Sequence, residues 1–250
     1  IGEASARLPT APAAPIRPLI GVSFAMLADG TQTTYQAVMK QRSDPARLGV
    51  LIYDGVEPID LGGTVGVVSM ARRVLPAVEA PVIARHAGPV RLAGGVTVLA
   101  DHGIEAAPAC DVVIVCGGAG WPQAAADAAV LNYLRGLAPA GVASVCTGAL
   151  ILAAAGVLDG RTATTRRRAV GQEAVSPLDL LGRSGAIATR AAQVVDCGVV
   201  TGGGVSLAID ATLYLLGRLY GAAAADEVAH AIEYDRAYAA NRAALGLLEA

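Results

Sequence analysis

The sequence predicts an α/β fold: a mostly parallel sheet covered by helices on both faces. Three observations carry that expectation. Short apolar runs such as Asp111-Val-Val-Ile-Val115 have the look of strands buried on both faces. Stretches of helical length alternate with them, which is the pattern of a parallel sheet with crossover helices. Glycine-rich turns follow the strands where a helix should begin, the place at which such sheets bind ligands.

Residues 1–47 form an N-terminal extension. Pro9 to Pro18 is an Ala/Pro tract that cannot be helical and is expected to run extended over a surface. Arg17 followed by the apolar Leu19 to Ala28 faintly resembles an export signal, but it lacks a small-x-small cleavage site, so an ordered, packed arm is expected. A cytoplasmic location is the working expectation; whether an export signal precedes Ile1 lies outside the sequence.

Residues 48–236 form the main domain. It opens with Leu48-Gly-Val-Leu-Ile-Tyr53, a strand bounded by Asp54-Gly55, and continues with a helix over roughly Leu61 to Val74. Pro81 to Arg85 reads as extended, and two further extended pieces flank Ala93-Gly94-Gly95 as a hairpin or excursion. Asp111 to Val115 runs into Cys116-Gly117-Gly118-Ala119-Gly120, followed by an amphipathic helix over Pro122 to Leu137. Gly141 to Val145 is a strand, Cys146-Thr147-Gly148 a tight junction, and Ala149 to Ala155 an apolar helix closed by Gly156. Ala191 to Val195 and Val199-Val200 are strands; a long helix follows Thr201-Gly-Gly-Gly204, and a last one spans about Ala222 to Tyr234. Residues 237–250 read as a C-terminal tail.

Composition removes several function classes. The chain has 250 residues, is 54% hydrophobic and 16% charged, and carries a net charge of −2. That excludes disorder and argues against nucleic acid, which needs a stripe of Lys and Arg; Lys40 is the only lysine. No unbroken apolar run approaches the roughly 20 residues that cross a bilayer. The four cysteines, Cys110, Cys116, Cys146 and Cys197, are too widely spaced for a disulfide scaffold or a CxxC zinc site, so no metal role is expected.

Cys146 is the sharpest chemical signal. A thiol between a strand and a helix N-terminus meets unpaired amides and the positive end of the dipole, which lower its pKa. The same strand-nucleophile-helix turn projects a serine in hydrolases. The competing reading is a buried structural cysteine. Gly117 and Gly118 leave backbone amides for a developing negative charge, or merely supply the torsions of a plain turn. They do not form a dinucleotide fingerprint, because the GxGxxG spacing is incomplete. Asp60, in Ile59-Asp60-Leu61-Gly62-Gly63, is an acid among apolar neighbours and so a candidate general acid or base. As an isolated residue it is more readily read as a helix N-cap.

Taken together, Ile59-Asp60-Leu61-x-Gly63, Val115-Cys116-Gly117-Gly118, Ser144-Val-Cys146-Thr-Gly-Ala149, Leu158 to Thr165, Thr201-Gly-Gly-Gly204 with Asp210, and Ile232-Glu233-Tyr234 resemble the DJ-1/PfpI (ThiJ) superfamily. Within it they resemble the isocyanide hydratase-like branch, in collinear order over about three-quarters of the chain. The resemblance implies a flavodoxin-like three-layer sandwich with a cysteine nucleophile elbow, a homodimer, a small-molecule substrate and no cofactor. It also implies that Cys146 attacks the isocyanide carbon, that Asp60 serves as acid/base or orients water, and that Thr147 positions the site. The amides of Gly118 and Thr147 would face the developing charge, with Gly117, Trp121, Thr165 and Arg166 around the substrate.

The chain departs from that pattern in places. Cys116 and Thr64 stand where the family has proline, and Arg166-Arg167-Arg168 follow Thr165 where it commonly has His-Trp. Arg166 is a fixed charge that either meets an anionic substrate group or faces solvent; the solvent-facing reading is preferred, as for most charged runs. Trp121 either walls the pocket or caps the following helix. The alternatives are a glyoxalase/deglycase- or amidase-like enzyme of the same superfamily, or a non-catalytic ligand-sensing domain. The residues after Tyr234 are too few for a DNA-binding domain.

Overall fold

The computed structural model describes residues 39–184 and 188–249. The apolar segment Val22 to Leu27, expected to pack, lies outside the described residues. In chain order the main elements are β1 (Ala46–Leu51), α1 (Pro58–Ala71), β2 (Val78–Glu79), β3 (Val82–Ala84), β4 (Gly88–Arg91), β5 (Thr97–Ala100) and β6 (His102–Gly103). Then follow β7 (Val112–Val115), α2 (Trp121–Ala124), α3 (Ala128–Arg135), β8 (Val142–Ser144), α4 (Gly148–Ala154), β9 (Thr162–Ala163) and α5 (Pro177–Gly182). The chain ends with β10 (Ala188–Thr189), β11 (Val194–Asp196), β12 (Val200–Gly202), α6 (Ala208–Tyr220), α7 (Ala222–Ala231), α8 (Asp235–Leu245) and β13 (Leu247–Glu249).

The main sheet has the order β13-β11-β12-β8-β7-β1-β3-β6, with β2 added to β1. Every pairing in it is parallel except β11 with β12. Because strand side chains alternate, β1 and β7 feed two cores. Leu48, Val50, Val112 and Ile114 pack with residues of α1, α6 and α7. Leu51, Val113 and Val115 pack with residues of α3, α4 and α5 on the other face. The result is the flavodoxin-like three-layer sandwich expected from the sequence, and β4 and β5 form the expected hairpin.

Two stretches differ from expectation. The helix expected over Pro122 to Leu137 is two helices, because the Asp127 side chain accepts from Ala129 N (2.9 Å) and Val130 N (3.3 Å) and starts α3 afresh. Residues 237–249, read as a tail, are instead part of α8 and all of β13, which extends the sheet beside β11.

Candidate active site

The site is assembled at the carboxyl ends of β7 and β8. Cys146 follows β8 by two residues and precedes α4. Its φ of 51° lies in the left-handed region that non-glycine residues avoid, so it sits on a strained elbow. Both of its backbone groups are held: its N–H donates to Gly203 O at 3.0 Å, and its carbonyl accepts from Thr165 Oγ1 at 2.5 Å. Gly148 completes the turn, since a Cβ there would run into the Val115 carbonyl.

Asp60 occupies the first turn of α1 and is fully buried. The N-cap expected of it belongs instead to Glu57. Its Oδ2 accepts from Gly117 N at 2.8 Å, while Oδ1, equally buried, has no hydrogen-bond partner. Burial pushes this carboxyl up to about 7, helped by the nearby charge of Glu57 and opposed by the Gly117 amide and the Cys146 thiol.

The thiol moves the opposite way from the sequence expectation. Burial, with the negative charge of Asp60, pushes Cys146 up to about 11, against the N–H groups of Val205 and Thr147 and the charge of Arg166. Helix-terminal amides are present, but desolvation outweighs them. At neutral pH the sulfur therefore rests as a thiol, beside a carboxyl that is close to half ionised.

The amides differ from expectation too. Gly118 N donates to Thr147 Oγ1 at 2.8 Å, so it braces Thr147 rather than facing the sulfur. The amides that favour the ionised sulfur are those of Val205 and Thr147. Val205 was not singled out from sequence. It has a φ of 37°, unusual for a β-branched residue, and the only hint was the preceding Thr201-Gly-Gly-Gly204 turn. Gly117 is where close approach demands glycine: a Cβ would meet Thr147 N at 2.5 Å, Thr147 Oγ1 at 2.7 Å and Asp60 Oδ2 at 2.8 Å.

Arg166 does not face solvent. Its side chain is 12% exposed and pairs with Glu173 at 2.5 Å; its other terminal nitrogen donates to the Arg168 carbonyl, and its charge stands beside Cys146. Arg167 and Arg168 are exposed, as charged runs usually are. Thr165 is buried, whereas Trp121 packs half-buried against the core on the α4 face and does not line the cleft that holds Arg166. Cys116 lies fully buried, its thiol pushed well up by burial, and Cys110 and Cys197 are half-buried away from the elbow. Among the described residues no group of three or more His, Cys, Asp or Glu is placed to hold a metal ion.

The residues 46–216 match the model of the DJ-1/PfpI family. The chain belongs to that family. It is 34% identical over 190 residues to an isonitrile hydratase of Pseudomonas putida, covering 75% of this chain and 78% of that protein. A THiJ/PfpI family protein from Pseudomonas syringae superposes with a TM-score of 0.67 at 29% identity, over 77% of this chain and 76% of that one. The HTH-type transcriptional regulator GbdR of Pseudomonas aeruginosa is 29% identical over 209 residues, 82% of this chain but 55% of the regulator. The relatives of this chain thus include both an isonitrile hydratase and a transcriptional regulator.

Proposed function

We propose that this DJ-1/PfpI protein hydrates a small isocyanide to the N-formamide, with Cys146 as nucleophile and Asp60 as proton carrier. The observation that carries the reading is the unpartnered, buried Oδ1 of Asp60 beside a thiol on a strained elbow. The isonitrile hydratase relative supports it.

An isocyanide carbon is attacked by a nucleophile and must also accept a proton. A thiol beside a carboxylate supplies both. Sulfur bonds to carbon while its proton, relayed through the carboxylate of Asp60, moves to the same carbon, giving a thioimidate (R–N=CH–S). Water then adds at that carbon and a proton passes to nitrogen. The tetrahedral adduct collapses with cleavage of the C–S bond, releasing R–NH–CHO and restoring the thiol. The N–H groups of Val205 and Thr147 stabilise the sulfur as charge builds on it, at bond formation and again at departure. Thr165 and the Gly203 carbonyl keep the elbow in place. The protein acts on this reading as a homodimer, without a cofactor.

Formamide release from alkyl and aryl isocyanides tests the proposal. Wild type is expected to turn over, Cys146→Ala to be inactive, and Asp60→Asn to lose about 100-fold or more. Because the relay needs the carboxylate, the rate should rise with pH through about 7. No turnover by wild type with any isocyanide, or equal turnover by Cys146→Ala, would overturn it. The regulator relative supports a second reading, ligand sensing without turnover. It predicts ligand binding, seen as a thermal shift, that survives Cys146→Ala.

A further inference from the structure

A cleft of about 380 Å³ lies against the turn that carries Cys146, lined by neighbours of Cys146 rather than by Cys146 or Asp60 themselves, and its volume suits a small molecule. Its inner wall includes Thr165, Gly203 and Val205, the residues whose backbone or hydroxyl groups already meet Cys146. Arg166, Arg167 and Arg168 line it as well, and among the described residues no acidic side chain does. On a chain of net charge −2, three adjacent cations at one cleft are a local reversal of sign. The rest of the wall is partly apolar, with Val170, Leu207 and Leu245.

Arg166 is built into this place. A Cβ on Gly204 would meet its Cγ at 2.6 Å and its Cβ at 2.8 Å, so glycine makes the room it occupies. The guanidinium already holds a carboxylate, that of Glu173, at 2.5 Å. Glu173 is the more exposed partner, its side chain 37% accessible, and it sits on a loop outside the cleft lining. A fixed, planar cation that carries a displaceable carboxylate next to a nucleophile is matched to a second carboxylate arriving with the substrate.

We propose that the cleft selects small carboxylate-bearing substrates, the carboxylate taking the place of Glu173 on Arg166 while Arg167 and Arg168 supply an attracting field. The apolar wall takes the carbon skeleton. On the hydratase reading above, on which this rests for its reaction, the preferred substrates are isocyano-carboxylates, turned over with a higher kcat/KM than neutral isocyanides.

The charge preference is measured without turnover by alkylating Cys146 with iodoacetate and with neutral iodoacetamide. In both, sulfur forms the bond to carbon and iodide leaves, and the rate at Cys146 is followed by peptide mass mapping. The ratio of the two rates cancels any change in thiol ionisation, because both reagents need the same thiolate. Relative to wild type, Arg166→Gln should lower the iodoacetate preference by about fivefold or more. The exposed pair Arg167→Gln/Arg168→Gln, which puts no folding at risk, should lower it by about twofold. Glu173→Gln, by unmasking Arg166, should raise it. A ratio unchanged across the three variants, or lowered by Glu173→Gln, would overturn the proposal. In turnover, kcat/KM for isocyanoacetate should exceed that for its methyl ester. If neither is hydrated while the alkylation ratio follows the arginines, the hydratase reading falls and the charge selectivity stands.

Discussion

Cys146 and Asp60 are buried together: burial raises the proton affinity of both, and the charge of Asp60 raises that of Cys146 further, while the thiol lowers that of Asp60. The cost of that arrangement is measurable. Asp60 ionises near 3.8 in the unfolded chain and at about 7 in the folded one. Between those values the unfolded chain gives up its proton while the folded one keeps it, so this group's contribution to stability falls as pH rises. Above about 7 both forms are ionised and the loss levels off. Asp60→Asn keeps an acceptor for Gly117 N and removes the charge. Its stability relative to wild type, measured by urea unfolding, should therefore grow between pH 4 and pH 7 and then hold level. The ceiling is about 4 kcal/mol from the size of the shift. A variant that loses activity while gaining stability at pH 8 would mark the carboxylate as placed for chemistry. The elbow itself was legible in Ser144-Val145-Cys146-Thr147-Gly148, because the strand-to-helix handover is a local pattern. The direction of the thiol's shift was not, because amides at a helix end can be read locally whereas burial comes from elements distant in sequence.

Elements bring these residues within reach, and glycines set the spacing. At Gly117, between β7 and α2, a methyl group has to push against Thr147 and Asp60 at once. Gly117→Ala should lower stability by about 1–3 kcal/mol through overpacking and reduce Cys146 alkylation, read by thermal melting and iodoacetamide labelling. The same substitution at Gly62, where a Cβ has open space, serves as the contrast. The C-terminal elements hold the Val205 turn from behind. Gln193 Nε2 donates to Asp210 at 2.6 Å, the Gln193 carbonyl accepts from Gly203 N at 3.0 Å, and Asn241 of α8 donates to Asp210 at 3.2 Å. Tyr234 is the third residue to donate to the buried carboxylate, at 2.9 Å. Asn241→Ala leaves Asp210 short of a donor and should destabilise by about 1–3 kcal/mol, checked by denaturant unfolding. From sequence, α8 and β13 were passed over as a tail. Three residues, Leu247 to Glu249, carry no period, and their strand exists only because β11 offers an edge. Asp127 was equally easy to pass over, since Ala-rich sequence continues on either side of it and only its capping bonds separate α2 from α3.

At the scale of the whole molecule, the sheet was the most legible part. β1 and β7 are buried on both faces, so their sequences are continuous apolar runs that no surface helix would show. Each ends in the glycine turn that its role at the sheet's carboxyl edge requires. Arg166 was misread for the complementary reason: a run of three arginines looks solvated until a glycine elsewhere in the chain, Gly204, is seen to make room for the first of them. Residues 46–216, the family match, stop short of α7, α8 and β13, yet α8 contributes Asn241 both to the Asp210 network and to the cleft beside the nucleophile. The site therefore depends on chain well beyond the strand-helix repeat that names the fold. Among the described residues no helix is long and apolar enough to cross a membrane.

On the proposed mechanism the isocyanide carbon bonds to Cys146 during turnover. Rapid-quench mass spectrometry of the protein mixed with an alkyl isocyanide tests it most directly. The account predicts a transient adduct equal in mass to the whole isocyanide, confined to the peptide carrying Cys146, that forms and decays at rates compatible with formamide release. Formamide released with no such adduct on the quench timescale, or with the adduct on Cys110, Cys116 or Cys197 instead, would contradict it.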